Sequence, residues 1–360
     1  MADQAQNLPV VGHGSLHLPA VDIDSYNLEL KDEDGFVGDR ANRRAFSESL
    51  EKWREPLRKA GTDPFGDREI TELGKKELEA ILAKGDAEAA AVVQSAIEDF
   101  AQQLADVIRR FLKVKGWRDT ERIAVGGGFS NSRIGELAIA RAGVILKAEE
   151  IAIDLVPIVN HPDEAGLIGA VHLAPSWIFD GHDAILGVDI GGTNIRAGVV
   201  RLNGGKSTAK KDPGLAKASV WKSDLWRHGD EKVKRDEAVD RLVDMLKKAI
   251  RSAEREGLSL APFIGIGCPG KIEDDGSIDR GSQNLPGNWE SSRFKLPQIL
   301  REAIPTIGEH ETVVVMHNDA VVQGLSEIPV MQDVARWAIL TIGTGLGNAR
   351  FTNRTSGVKS

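Results

Sequence analysis

The chain has 360 residues, 41% of them hydrophobic and 28% charged, with a formal net charge of −8 at pH 7. That length accommodates about two domains of ordinary size, and the acidic balance with no long basic run argues against nucleic acid as a partner. One cysteine, Cys268, excludes an internal disulfide and any cysteine-built zinc site, and it fits a cytoplasmic location. The N-terminus lacks the charged and apolar regions of a signal peptide, and no run of about 18 apolar residues occurs, so no membrane span is expected.

In chain order, residues 1–7 read as frayed, and Val10 to Asp24 as extended with breaks at Gly12, Gly14 and Pro19. Ala41 to Lys59 has helical spacing, with Ala45, Leu50, Trp53 and Leu57 near one face. From Glu69 to Leu112 the pattern is helical and broken at Lys84-Gly85-Asp86. Asp86 suits the cap of a long helix carrying Val92, Ala96, Phe100, Leu104, Ile108 and Leu112. Glu121 to Val125 is a short apolar strand that runs into Gly126-Gly127-Gly128, and Ser130 or Asn131 can cap a helix from about 132 to 147. Ile151 to Val159 reads as a buried strand. His161 to Leu173 reads as a helix whose small residues Ala165, Gly166, Gly169 and Ala170 admit a close neighbour. Ala174 to Asp183 is a connector.

Ala184 to Leu202 pairs an apolar strand with a second extended stretch around Gly191-Gly192. Two glycines there can take positive φ and converge backbone N–H groups on one point, which suits a phosphate. Asp189 would repel that phosphate unless a cation sat between them, so the turn suits a metal-bound nucleotide. An ordinary hairpin with a capping Asp is the alternative. Asn203-Gly204-Gly205 turns the chain again, and Glu231 to Glu256 is an amphipathic helix through Val239, Leu242, Val243, Leu246 and Ile250. Phe263 to Ile266 is a strand ending at Cys268-Pro269-Gly270. Thr312 to Met316 delivers His317-Asn318-Asp319 to a helix start. Trp337 to Ile342 runs into Gly343-Thr344-Gly345.

Three glycine turns therefore follow buried strands, and together they could hold a nucleotide. The spacing fails both the Rossmann fingerprint, at Asn131 and Asn348, and the Walker A loop, where Val200 stands in for glycine ahead of Gly205-Lys206-Ser207. Asp319 at a strand end can take a proton from a substrate hydroxyl while Asn318 bonds a neighbouring one; the competing reading is a helix N-cap. Asn284, Gly287 and Trp289 combine hydrogen bonding with close backbone approach in one loop, or form a plain turn. Cys268 has no base near it in sequence and reads as packing. His13 and His17 read as surface residues or as substrate contacts.

These stretches together resemble the ROK family of bacterial sugar kinases and sugar-responsive repressors, in the actin-like ATPase superfamily. DIGGTNIRAG is similar to the family's first phosphate motif and IGTGLG to its second. IAVGGGFS resembles the adenosine motif, CPGKIEDDGSI followed by NLPGNW the sugar-loop region, NDA the segment of the catalytic aspartate, and DEAGLIGAVHLA the closing helix. The resemblance covers most of residues 75 to 350. The motif order differs: the adenosine motif and closing helix precede the first phosphate motif, as in a circular permutation opened after the second phosphate motif.

The resemblance implies an α/β, two-lobed actin-like ATPase (ribonuclease H-like) fold, circularly permuted. One lobe would span 162–318 and the other 1–161 plus 319–360, around a cleft. It implies ATP-dependent phosphorylation of a hexose or amino-sugar hydroxyl, with Asp319 as general base and Asp189 holding magnesium. Phosphates would lie on Gly191, Gly192, Thr193, Asn194, Gly343, Thr344 and Gly345, and the adenosine by Gly127 and Gly128. Asn284, Gly287, Asn318 and Asp319 would bind sugar. Most family members add a sugar-binding Glu and His and a Cys-rich zinc loop. No matching Glu or Cys cluster occurs, so no structural zinc is expected, and His13 or His17 stands for the family His. The missing Glu keeps a second reading open, a non-catalytic sugar or nucleotide sensor on the same fold. The expected partner is a small-molecule sugar, with no nucleic acid and no membrane and with room for a homodimer.

Overall fold

The structure, a computed structural model, describes residues 12–202 and 215–354. The segment 1–7, the turn predicted at 203–205 and the Gly205-Lys206-Ser207 triplet lie outside those residues. The principal strands in chain order are Val21–Tyr26 (β1), Arg122–Gly126 (β2), Asp154–Pro157 (β3), Ala184–Ile190 (β4) and Ile195–Arg201 (β5). They continue with Ser219–Trp226 (β6), Leu260–Cys268 (β7), Val313–Asn318 (β8), Arg336–Ile342 (β9) and Leu346–Asn353 (β10). The α-helices are Arg43–Lys59 (α1), Lys75–Lys84 (α2), Ala87–Lys113 (α3), Arg133–Ala148 (α4), Pro162–Gly169 (α5), Arg235–Arg255 (α6), Leu296–Ala303 (α7) and Asp319–Leu325 (α8). Among the described residues no helix is long and apolar enough to cross a membrane.

The chain forms two compact units, one of Met1–Asn27, Glu164–Asp333 and Phe351–Ser360, the other of Leu28–Asp163 and Val334–Arg350. The first unit is built on a sheet of order β8-β7-β4-β5-β6. β4, β5 and β6 form an antiparallel meander, whereas β7 runs parallel to β4 and β8 parallel to β7. Three meandering strands followed by two parallel crossovers is the ribonuclease H-like arrangement. All seven residues of β4 are buried, Asp189 among them, as its largely apolar sequence predicts for a strand covered on both faces. Val239, Leu242, Val243 and Leu246 of α6 share one core with β4, β5 and β7, at the spacing of one helical face. On the other face a Cβ at Gly187 would lie 3.1 Å from Leu167 O, and one at Gly265 would lie 2.8 Å from the Ala170 Cβ. Glycine therefore admits α5 and the 3₁₀ turn Ala170–Leu173 onto the sheet. That turn ends the helix predicted to reach Leu173.

The second unit has the strand order β10-β9-β2-β3, with β2 parallel to β9 and β3 parallel to β2. β10 passes into the first unit at Phe351, and its tail lies beside β1 there: Arg354 N–H donates to Ala20 O at 3.0 Å and Thr352 Oγ1 to Asp24 at 2.8 Å. Asp86 caps α3, accepting the Glu88 and Ala89 N–H groups, and the predicted apolar stripe is buried along the helix. Phe100 meets Phe46 and Phe129 at ring separations of 5.9 and 4.7 Å, and Phe111 stacks on Trp117 at 4.8 Å.

Several elements differ from the sequence pattern. The buried face of α1 is Phe46, Leu50 and Arg54 rather than one that includes Trp53. Trp53 is 41% exposed, because its indole N–H reaches Asp99 at the surface, 2.9 Å away. α4 is capped by Ser132, whose Oγ accepts the Gly135 N–H, and not by Ser130 or Asn131. Ser130 is held back by bonding the Gly127 carbonyl. β3 is shorter than predicted and only half-buried, since it is the last strand of its sheet. α6 starts at Arg235: His228–Asp230 form a 3₁₀ turn, and Glu231 accepts the Trp226 indole N–H at 3.0 Å.

Candidate functional site

In the first unit β4, β7 and β8 are parallel neighbours, so their C-terminal ends fall along one edge, where α/β sheets bind ligands. The register places Asp189 opposite Gly267, and Asn318 opposite Cys268. β8 then runs directly into α8. Both Asn318 and Asp319 have capping chemistry, and Asn318 is the cap: its Oδ1 accepts the Ala320 and Val321 N–H groups at 3.0 and 3.3 Å, and its Nδ2 donates to Gly270 O at 2.9 Å. Asp319, one residue on, is left half-buried, with only the Ala320 N–H on its Oδ1 at 2.9 Å. Burial, and then the charge of Asp189, push the Asp319 carboxyl up to about 7. Asp189 is buried, with Arg196 Nη1 3.7 Å from its Oδ2. Gly166 of α5 makes room for it, since a Cβ there would lie 2.5 Å from the Asp189 Cγ.

Gly191 to Asn194 link β4 to β5, and the Gly191 N–H donates to Asn194 O at 2.8 Å. Neither Gly191 nor Gly192 takes positive φ, which corrects the reason first given for those glycines. A Cβ at Gly192 would lie 3.2 Å from that of Asn284, so the turn and the QNLPGNW loop touch. His228 braces this turn, a role that the sequence pattern missed. Its Nε2 lies 2.8 Å from the Gly191 carbonyl oxygen, and the Gly229 N–H donates to Thr193 O at 3.0 Å, so both ends of the turn are tied to the 3₁₀ turn after β6. The only sequence signal is a His-Gly pair directly after a strand.

In the loop of residues 283–289 Trp289 is buried and donates its indole N–H to Pro286 O at 2.8 Å, while Asn284 stays exposed. Gly287 has φ +75°, and the Arg235 backbone nitrogen lies 3.0 Å from where its Cβ would be, so both strain and space require glycine there. His13 accepts the Met316 N–H on Nδ1 at 3.2 Å, which puts its proton on Nε2 and anchors it beside β8; burial lowers its pKa. His17 is exposed and paired with Asp22 at 2.9 Å. Burial, Asp319 and Asp189 push the Cys268 thiol up, so it offers no nucleophile.

In the second unit Gly127 has φ +83°, and a Cβ there would lie 2.5 Å from Ile342 O. The adenosine-like turn is thereby pressed onto the last residue of β9. Gly343 to Gly345 link β9 to β10, with the Gly343 N–H donating to Gly345 O at 3.0 Å. Gly128, Gly191, Gly343 and Gly345 differ from the other glycines named here. None has positive φ, and a Cβ at any of them would meet no atom closer than 3.6 Å. The fold itself would accept a side chain at all four, as it would at Gly74 and Gly143 outside these turns.

No protein-family model and no curated protein matches the chain. Among solved structures it is similar to a ROK hexokinase from Thermus thermophilus, at 25% identity over 46% of this chain and 45% of that one, with a TM-score of 0.32. It is also similar to a ROK family glucokinase from Streptomyces griseus in complex with glucose and AMPPNP, at 22% identity over 48% and 46% of the two chains, with a TM-score of 0.34. The chain thus spans about half the length of the solved structures it matches.

Gly166→Ala is expected to lower the unfolding free energy by about 1–3 kcal/mol, the cost of overpacking. Urea denaturation measures it, and an unchanged midpoint would mean that α5 can move off Asp189 freely.

Proposed function

We propose that the chain is an ATP-dependent, magnesium-requiring kinase acting on a hydroxyl of a hexose or amino sugar. The observation that carries this reading is Asp319, half-buried at the ligand edge of the sheet, relieved of capping by Asn318 and raised to about 7. A base with that value accepts a hydroxyl proton near neutral pH as the oxygen takes the phosphoryl group. The same pair of carboxylates fits a divalent cation, which would offset the mutual repulsion of Asp189 and Asp319. Magnesium, when bound, neutralises phosphate charge, and Asp189 is our choice to hold it, through water.

The four glycines with unused space support nucleotide binding by Gly191, Gly192, Thr193 and Asn194 in one unit, and by Gly127, Gly128, Gly343, Thr344 and Gly345 in the other. For the sugar we assign Asn284, Gly287 and the second Nδ2 hydrogen of Asn318. We take His13 rather than His17, because His13 is fixed on β8 whereas His17 is engaged at the surface by Asp22. A passive sensor would have no need of a base held at its working value, so Asp319 favours the enzyme.

We further propose that the chain is circularly permuted. With β9 and β10 read ahead of β2 and β3, the second unit's order β10-β9-β2-β3 matches the order β5-β4-β7-β8 in the first sheet. That match supports the reading.

The decisive experiment is ADP release with a panel of hexoses and amino sugars. Asp319→Asn is expected to cut kcat by roughly 10² or more while sugar still binds; near-normal turnover would remove Asp319 from the mechanism. In the wild type, kcat/KM should rise as pH climbs through about 7. Because the folded value lies above the unfolded one of about 3.9, Asp319 also makes stability fall with rising pH between those values, and Asp319→Asn should flatten that part of the profile.

Gly345→Ala is expected to leave thermal stability unchanged or slightly raised, since it removes backbone freedom only from the unfolded chain, yet to weaken nucleotide binding about tenfold or more. Loss of stability instead would mean that the turn needs glycine for itself. A rearranged chain that starts near residue 182, runs to 360, is linked to residue 1 and ends near 176 should fold and keep the parent's activity, at lower stability for want of Phe179, which packs on Phe263, because the break falls in a connector outside the core strands. Insoluble products at every linker length would count against the permutation.

A further inference from the structure

Two basic residues outside every glycine motif converge on the turns of the second unit. Lys75, at the start of α2, donates its Nζ hydrogen to Gly128 O, and the Arg43 N–H, at the start of α1, donates to Gly343 O at 3.0 Å. The two turns are themselves joined, since Gly127 lies against Ile342 and the Phe129 N–H donates to Ile342 O at 3.3 Å. The side chains of both Lys75 and Arg43 are exposed. Partial covering of the Lys75 ammonium against Gly128, and then the Arg43 charge, lower the Lys75 pKa; Asp163 and Glu79 oppose that effect more weakly. Glu79 is in addition occupied by the Arg133 N–H, at 2.7 Å. An anion between the two cations would relieve the repulsion, and the space left open at Gly128, Gly343 and Gly345 is on the same turns.

We propose that Arg43 and Lys75, beside the clear space at Gly128 and Gly343–Gly345, form an oligophosphate clamp that separates di- and triphosphates from the uncharged nucleoside. The proposal deepens the kinase reading and rests on it for the identity of the phosphoryl donor. A salt bridge to a phosphate uses the charge of both residues, whereas the present Lys75–Gly128 contact uses only one donor hydrogen.

The test is calorimetric titration of the whole chain with ATP, ADP, adenosine and inorganic tripolyphosphate, each with magnesium, for the wild type and for Lys75→Met, Arg43→Met and Lys75→Arg. We expect each Met variant to weaken ADP and tripolyphosphate about tenfold or more, to leave adenosine unchanged, and Lys75→Arg to retain most of the affinity. Added salt should weaken the phosphates in the wild type more than in the Met variants. Undiminished ADP binding in both Met variants overturns the clamp while nucleotide binding stands. The same holds if Lys75→Met lowers only the melting temperature, because Lys75 then merely ties α2 to Gly128. A wild type that binds none of the phosphates overturns the clamp and the kinase reading together. A wild type that binds ADP through the clamp and phosphorylates no sugar overturns the kinase reading alone.

Discussion

Two carboxylates at the ends of parallel strands are the constraint on which the first unit turns. Asp189 closes β4 and Asp319 follows β8, with β7 between them contributing Gly267 at the level of Asp189. Holding like charges in a partly buried place is unfavourable, and the surroundings are shaped to tolerate it. Gly166 withdraws a side chain from Asp189, Arg196 stands near it, and Asn318 takes over the capping of α8, leaving Asp319 with the Ala320 N–H on one oxygen. The energetic cost falls on Asp319, which holds its proton far longer than an exposed carboxyl would.

Glycine has three separate uses in this chain. At Gly127 and Gly287 it permits a left-handed backbone, and at Gly166, Gly187 and Gly265 it lets a neighbour approach. At Gly128, Gly191, Gly343 and Gly345 the fold needs neither. The members of that last group belong to the three turns that follow buried strands.

Much of this was legible in the sequence because the signals are local. An apolar stretch ending in Asp-Ile-Gly-Gly makes a covered strand and a turn, and helical spacing with Asp86 ahead of it makes α3. What stayed hidden depends on contacts between distant residues or on choices between equals. Nothing in the sequence says whether Asn318 or Asp319 caps α8, since both can accept the same N–H groups; the Gly270 carbonyl decides it by engaging the Asn318 amide. The His228 brace joins residues 37 apart in the chain and leaves no periodic trace. Trp53 fits an apolar stripe by spacing, but its indole N–H draws it to Asp99 at the surface. Local pattern also could not tell a glycine chosen for φ from one chosen for clearance, because the difference lies in what packs nearby.

Cys268 has a practical consequence. It is the only sulfhydryl in the chain, and it is sealed beneath the two carboxylates that also suppress its thiolate. The native protein is therefore a silent background for maleimide chemistry. A cysteine introduced at any exposed position would take up a fluorophore or spin label alone, with no need to replace the natural one. Distances between two such labels, one in each unit, could then be followed as ligands are added.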